Sequence, residues 1–440
     1  MLGVGVLCLS TSGPARHSMA RPVVSRKQIA PGIQHIRIVY RRPPNRINVL
    51  RVAVRRRPSI DVALPFPGSF GFRRTSRTAD GYGAVAAVNG TFTLPTGRPY
   101  GVFARNGNLM TSPLMWSRAF SLSDDERAFY AGHPKLSVTV QPSDEDPLEI
   151  ESVNEAVTRE IQGLHTPVGG RFYPPPPNSC SVRLRRAGPL AWSPLRMGVE
   201  RLYRVEVVRC SSTPLARRNG MVLSAQRGTD EAEDLEDLEP LETLTVGWSV
   251  GWPETLDVMG GNPVLLKDGA NLGPASCGSA FCNRHPRTGI GVTSKGEVLL
   301  VTVDGRQPKR SVGMTLANFA RLFRRLGATD AINLDGGGST TMAIRGRVVN
   351  RPSDTRGERR VGSVILVRRY NRSSGVRDDS GGGGSPDRVG FAEAAISDPA
   401  SSGGMLDALA RGALGGASRT LPPSLQHVVR AYRSNRGAAR

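Results

Sequence analysis

The 440 residues carry a formal net charge of +22, nearly all of it arginine, and 38% of them are hydrophobic. That length is enough for about two or three average domains, or for one large domain with extensions. No run approaches the roughly 20 apolar residues of a spanning helix, so no membrane span is expected after the N-terminus. Arginine, alanine, glycine and proline are enriched together along the whole chain, without a basic helix or a zinc-finger spacing. A nucleic-acid partner needs a clustered patch and is not expected; an anionic glycan or phosphate fits the charge.

Residues 1–28 read as a leader. Leu2 to Leu9 is a short apolar stretch, and Ala20 stands where a signal peptide could be cut, although the positive segment that normally comes first is missing. "IQHIRIVY" from Ile33 and "RINVLRVAV" from Arg46 read as two strands joined by a Pro/Arg turn. "GAVAAVNGTF" from Gly83 reads as a buried strand running into a turn. "GVFARNGNLM" from Gly101 reads as a hairpin turning at Asn106-Gly107.

Residues from about 120 to 245 are less regular and read as a divergent insertion. "YPPPPN" at Tyr173–Asn178 is a stiff extended loop, and "RLYRVEVVR" from Arg201 alternates like a strand. The acidic run "DEAEDLEDLE" from Asp230 is a solvated face with no assigned chemistry. Five cysteines form two local pairs, Cys180 with Cys210 and Cys277 with Cys282, plus Cys8. Two disulfides in a protein secreted or held at the cell envelope are expected, with buried free thiols as the alternative.

"MTLANFARLFRRLG" sets Leu316, Phe319, Ala320, Phe323 and Leu326 on one helical face, with Thr315 as N-cap and Gly327 as stop. "DAINL" then reads as a buried strand, "TTMAIRGRVVN" as a hairpin around Arg345-Gly346, and "VGSVILVRRY" as a last strand. The folded domain is expected to run from 29 to 370. A Gly/Ala/Arg-rich, disordered tail is expected over 371–440. The fold class is α+β, mixed β-sheets packed with a few helices, strands outnumbering helices.

Between that strand and that hairpin stands "AINLDGGGSTTM". Three consecutive glycines are costly to order unless the backbone has a task. At a strand end, Gly336, Gly337 and Gly338 would let bare backbone approach a ligand, with Ser339 and Thr340 adding hydroxyls and Asp335 beside them. No lysine follows, so this is not a nucleotide P-loop. A tight turn capped by Asp335 is the alternative. Other polar residues flank strands: Asn89 in "AVNGTF", Asp304 and Arg306 in "VTVDGRQ", Arg284 and His285 in "NRHPRTGIG", Asn333 before Asp335, and Glu358 and Arg359 in "DTRGERRVGSV". Each signal is weak alone; together they describe one polar pocket.

These segments, with "GGNPVLLKDG" from Gly260, resemble the phosphodiester glycosidase family. The resemblance covers 260–367 and, more faintly, 30–115. It departs at Arg359-Arg360-Val361, where relatives often read Arg-Pro-Val, and after Asn89, where Phe92 is the single aromatic. It implies a phosphodiester glycosidase-like domain and hydrolysis of the anomeric C–O bond of a sugar-1-phosphodiester of the N-acetylglucosamine-phosphate type. The substrate would be a sugar phosphate or glycopolymer, and no cofactor or metal is implied. The expected catalytic carboxylates are Asp335, Asp304 and Glu358. The expected binding residues are Asn89, Arg284, His285, Arg306, Asn333, the three glycines, Ser339, Thr340 and Arg359. A carboxylate suits an oxocarbenium-like state, and arginines suit a phosphate leaving group, which needs its charge held more than it needs a proton. Two other classes stay open: a non-catalytic binding module for anionic polysaccharide, and a phosphodiesterase cleaving P–O. Low aromatic content and six scattered histidines disfavour them respectively.

Overall fold

The run Val298–Val303 has no polar face because it is covered on both sides. In the computed structural model Leu299, Val301 and Val303 enter one core and Val298 and Leu300 another. The structure describes residues 21–369, apart from 55–57, 114–117, 124–127, 144–145, 156–161, 168–176, 188–196, 212–219 and 275–278. Of the expected 1–28 leader, residues 1–20 lie outside the described residues, whereas Val23–Gln28 belong to an edge strand, Val23–Ala30; the expected tail over 371–440 and most of the proline loop also lie outside the described residues. Among the described residues there are three α-helices: α1 (Thr75–Gly81), α2 (Asp230–Glu236) and α3 (Leu316–Arg325).

Val298–Val303 lies inside an eight-stranded antiparallel sheet. Its neighbours are Pro44–Val52 on one side and Arg287–Thr293 on the other, and Ala328–Asn333 follows beyond. The α3 stripe of Leu316, Phe319, Ala320, Leu322 and Phe323 covers one face of this sheet. Thr315 accepts the Asn318 N–H at 3.2 Å, and Gly327 leaves the helix at φ +92°. Truncating a fully buried ring such as Phe319 to alanine costs about 4 kcal/mol.

The other face packs on a second, five-stranded sheet ordered Arg347–Val348, Met342–Ile344, Ala86–Asn89, Val364–Arg369, Pro58–Ala63. Met342–Ile344 and the first four residues of Val364–Arg369 also read as continuous apolar runs. Ile365 and Val367 face the first sheet, while Val364 and Leu366 face α1 through Ala63, Ala79 and Ala87. The order of layers is thus α3, first sheet, second sheet, α1.

Residues 120–245 are more regular than their sequence suggests. They supply most of an eight-stranded sheet that builds its own core with α2, around Val182, Tyr203, Leu223, Leu235 and Val246. Arginines on its outward positions, and proline-rich sequence between its strands, obscure the alternation. Cys180 and Cys210 pair across adjacent strands as a disulfide. Cys282 is also disulfide-bonded, and Cys277 lies outside the described residues. A five-stranded sheet joins the two bodies, giving Phe103, Phe120 and Met259 to one core and Ala104, Leu109 and Val258 to the other. The whole is β-rich with few helices. No described helix is long and apolar enough to cross a membrane.

Candidate active site

The two central sheets meet at the ends of Ala86–Asn89 and Ala328–Asn333. Asn89, fully buried, is the knot between them. Its Nδ2 donates to the Asp335 carbonyl at 2.7 Å, and its Oδ1 accepts from Thr288 Oγ1 at 2.7 Å and from the Thr341 N–H at 3.1 Å. The Asp335 N–H donates to the Gly90 carbonyl at 3.1 Å. Asp335 is therefore held through both sides of its backbone while its side chain is left to act.

The glycines let charged groups close over the loop. Gly337 has φ +61°, and a Cβ there would stand 3.2 Å from the Arg306 guanidinium. At Gly338 a Cβ would overlap Arg359 and Asp354. The sequence suggested instead that this backbone meets a ligand. Several of its amides already have protein partners: the Gly337 N–H donates to the Pro286 carbonyl at 3.0 Å, and those of Ser339 and Thr340 donate within the loop.

The Asp335 carboxyl accepts from Ser339 and from the Gly336 N–H, with Arg359 and Arg306 near enough to act on its charge. Burial outweighs these and pushes its pKa up to about 6. Arg359 grips Asp354 in a two-point pair, Nε to Oδ2 at 2.6 Å and Nη2 to Oδ1 at 2.9 Å. Arg306 is exposed and sits at φ +56°, a left-handed conformation rare for such a side chain and common at functional sites. Partial desolvation of its guanidinium, and then the nearby Arg359 charge, lower its pKa.

Other residues expected in the pocket have other partners. Both Glu358 oxygens accept from Ser76, from its N–H at 2.7 Å and its hydroxyl at 2.6 Å, which caps the first turn of α1. Asp304 is buried; its Oδ1 accepts from Asn350 Nδ2 at 3.2 Å and the Arg351 N–H at 3.1 Å, and its Oδ2 faces Arg310 at 3.6 Å. Burial raises its pKa too. Arg284 is exposed and reaches the Gly313 carbonyl at 3.4 Å. Asn333 donates to the Asn262 and Leu334 carbonyls, each at 2.8 Å. Asn333 Oδ1 and Thr340 Oγ1 are buried with no hydrogen-bond partner among the described residues, leaving polar capacity on both sides of Asp335. His285 bonds Ala280 and Arg306.

Sequence reasoning did not single out Asp354, Ser76, Thr288 or Asn350. Only Asp354 had a local signal, an acid five residues before Arg359. Among the described residues the compact group of metal-ligand types is Cys180, Cys210 and Glu236, whose two sulfurs are already bonded to each other.

The model of the phosphodiester glycosidase family matches residues 209–368, which include Asp335 and both facing arginines. Over that stretch the chain resembles the phosphodiester glycosidases. Bovine (Bos taurus) N-acetylglucosamine-1-phosphodiester alpha-N-acetylglucosaminidase is 38% identical over 87 residues, 18% of this chain and 16% of that protein. The SPbeta prophage-derived uncharacterized protein YomE of Bacillus subtilis (strain 168) is 44% identical over 71 residues, 16% of this chain and 11% of that one. The chain thus spans less than a fifth of the curated relatives it matches. A hypothetical protein from Synechocystis shares the fold, with TM-score 0.64 and 21% identity over 79% of this chain and 64% of that one. A Burkholderia pseudomallei K96243 protein shares it with TM-score 0.57 and 22% identity, over 74% of each chain.

Proposed function

We propose that this chain is a secreted hydrolase that cleaves the anomeric C–O bond of a sugar-1-phosphodiester of the N-acetylglucosamine-phosphate type. The observation that carries this reading is the Asp335 carboxyl beside a glycine loop on which Arg306 and Arg359 close, both near enough to act on its charge, with burial pushing its pKa up to about 6. A pKa close to the working pH suits a group that takes up and releases a proton. Arginines at the same place suit a phosphate whose charge grows as it leaves.

In this reading the diester phosphate lies against Arg306 and Arg359. The bond between the anomeric carbon and the phosphate oxygen breaks, and its electron pair leaves with the phosphomonoester. Water adds to the anomeric carbon and gives a proton to Asp335, whose ionised form also offsets the positive charge developing on the sugar. Glu358 and Asp304 shape the site without touching substrate: Ser76 occupies both Glu358 oxygens, and Asp304 is buried, with Oδ1 taken by Asn350 and Arg351 and Oδ2 turned to Arg310. The curated bovine relative carries this activity in its name, and the Cys180–Cys210 disulfide fits an oxidising compartment.

The test is turnover of the methyl diester of N-acetylglucosamine 1-phosphate by the full chain in oxygen-18 water, beside Asp335→Asn. Label on the sugar, with turnover lost in the variant, is expected. Label on the phosphate would mean P–O cleavage instead. Binding of the diester without turnover would turn the reading to a glycan-binding module.

A further inference from the structure

We propose that His285 is a positioning residue: it does not touch substrate but aims Arg306 across the glycine loop. The proposal rests on the reading above, in which Arg306 holds the phosphate.

His285 Nε2 lies 2.7 Å from the Ala280 carbonyl, which can only accept, so this nitrogen carries the proton. Nδ1 is then a lone-pair acceptor, and Arg306 Nη2 points to it at 3.4 Å. Burial lowers the ring's pKa, and Arg287 and Arg306 disfavour a further positive charge beside them. A neutral imidazole beside two arginines is useful as an acceptor.

The backbone that carries the ring is pinned. His285 and Met314 exchange backbone hydrogen bonds at 3.2 Å and 3.0 Å. Gly313, at φ +83°, lies so close that a Cβ would collide with the His285 carbonyl. Arg287, buried beneath, donates to the carbonyls of Phe281, Asn283 and Met314 and so fixes the loop that brings Ala280 to the ring.

Arg306 needs such a guide. It is a long side chain on a left-handed backbone, and its head lies over Gly337 with no carboxylate within ion-pair distance among the described residues. An unguided arginine loses rotamer freedom only when the anion arrives, and that loss weakens binding. A fixed acceptor removes much of that freedom beforehand.

The experiment is a double-mutant cycle on the full chain with His285→Phe, Arg306→Ala and the pair. Two readouts are taken: kcat/KM on the methyl diester, and sulfate affinity by titration calorimetry, sulfate being a tetrahedral dianion across the working pH range. His285→Phe is expected to lower both about tenfold in the otherwise unchanged protein, and to change neither by more than about twofold once Arg306 is alanine. His285→Asn, which keeps an acceptor near the Nδ1 position, is expected to recover most of the loss. Multiplying losses in the pair would overturn the proposal, since His285 would then act on the anion itself. So would unchanged sulfate affinity in His285→Phe. A coupled sulfate cycle in a protein that turns over no diester would keep the positioning role and sink the glycosidase reading.

Discussion

The Asn89 carboxamide and the Asp335 backbone carbonyl meet at 2.7 Å across 246 residues of chain. Asn89 is buried, and its carboxamide bonds the Asp335 carbonyl, the Thr288 hydroxyl and the Thr341 N–H, so it holds the loop. Replacing it with alanine strands the Asp335 carbonyl, the Thr288 hydroxyl and the Thr341 N–H together. A loss of about 3 kcal/mol is expected in chemical denaturation, with kcat falling well over tenfold.

Asp335 trades stability for a useful pKa. Its carboxyl titrates near 6 in the fold, raised from an ordinary 3.8 by burial. The folded protein therefore holds this proton more tightly than the unfolded chain. The associated stability is fully present below about pH 4 and is lost as pH rises through 6. Asp335→Asn should melt higher than the unsubstituted protein at pH 7.5 and equally at pH 4, while being inactive. On the proposed reading, kcat of the unsubstituted protein should rise with pH through about 6 and level off.

Glu358 separates anchoring from catalysis. If its work is to cap α1 through Ser76, Glu358→Gln lowers stability by about 1 kcal/mol and keeps a tenth or more of the activity. A loss of a thousandfold, with an unchanged melting curve, would return Glu358 to the reacting groups.

The Arg359–Asp354 pair lies against Gly338, so the two features can be tested together. Arg359→Lys keeps the charge but cannot make the two-point contact, and kcat/KM should fall at least tenfold. Gly338→Ala forces the pair aside and should match it, with both effects in the diester assay and little change in far-ultraviolet circular dichroism.

Much of the fold was legible where the signal is local. The hairpin at Asn106-Gly107 has positive φ at both positions, as its sequence requires. Thr315 caps α3, and "VGSVILVRRY" forms the strand Val364–Arg369. The order of residues around Asp335 was legible too. What each acid does was not, because that depends on partners far along the chain. Glu358 could not be told from a free carboxylate without Ser76, 282 residues earlier. Asp304 looked like a strand-end acid until Asn350 and Arg351 folded onto it. The sheet within 120–245 escaped notice because its pairings also join distant strands, such as Arg201–Ser211 with Thr243–Ser249.

Val364–Arg369 lies inside the second sheet, between Pro58–Ala63 and Ala86–Asn89. A nascent chain on the ribosome must therefore be made as far as residue 369 before the loop around Asp335 can be closed in by this sheet. Pro58–Ala63 and Ala86–Asn89 must wait for a shared partner, Val364–Arg369, that is synthesised far later in the chain. Such non-local pairing is slow to form and exposed to aggregation meanwhile. A premature stop anywhere before residue 363 should leave the second sheet without this inner strand and yield only a substrate for quality-control proteases.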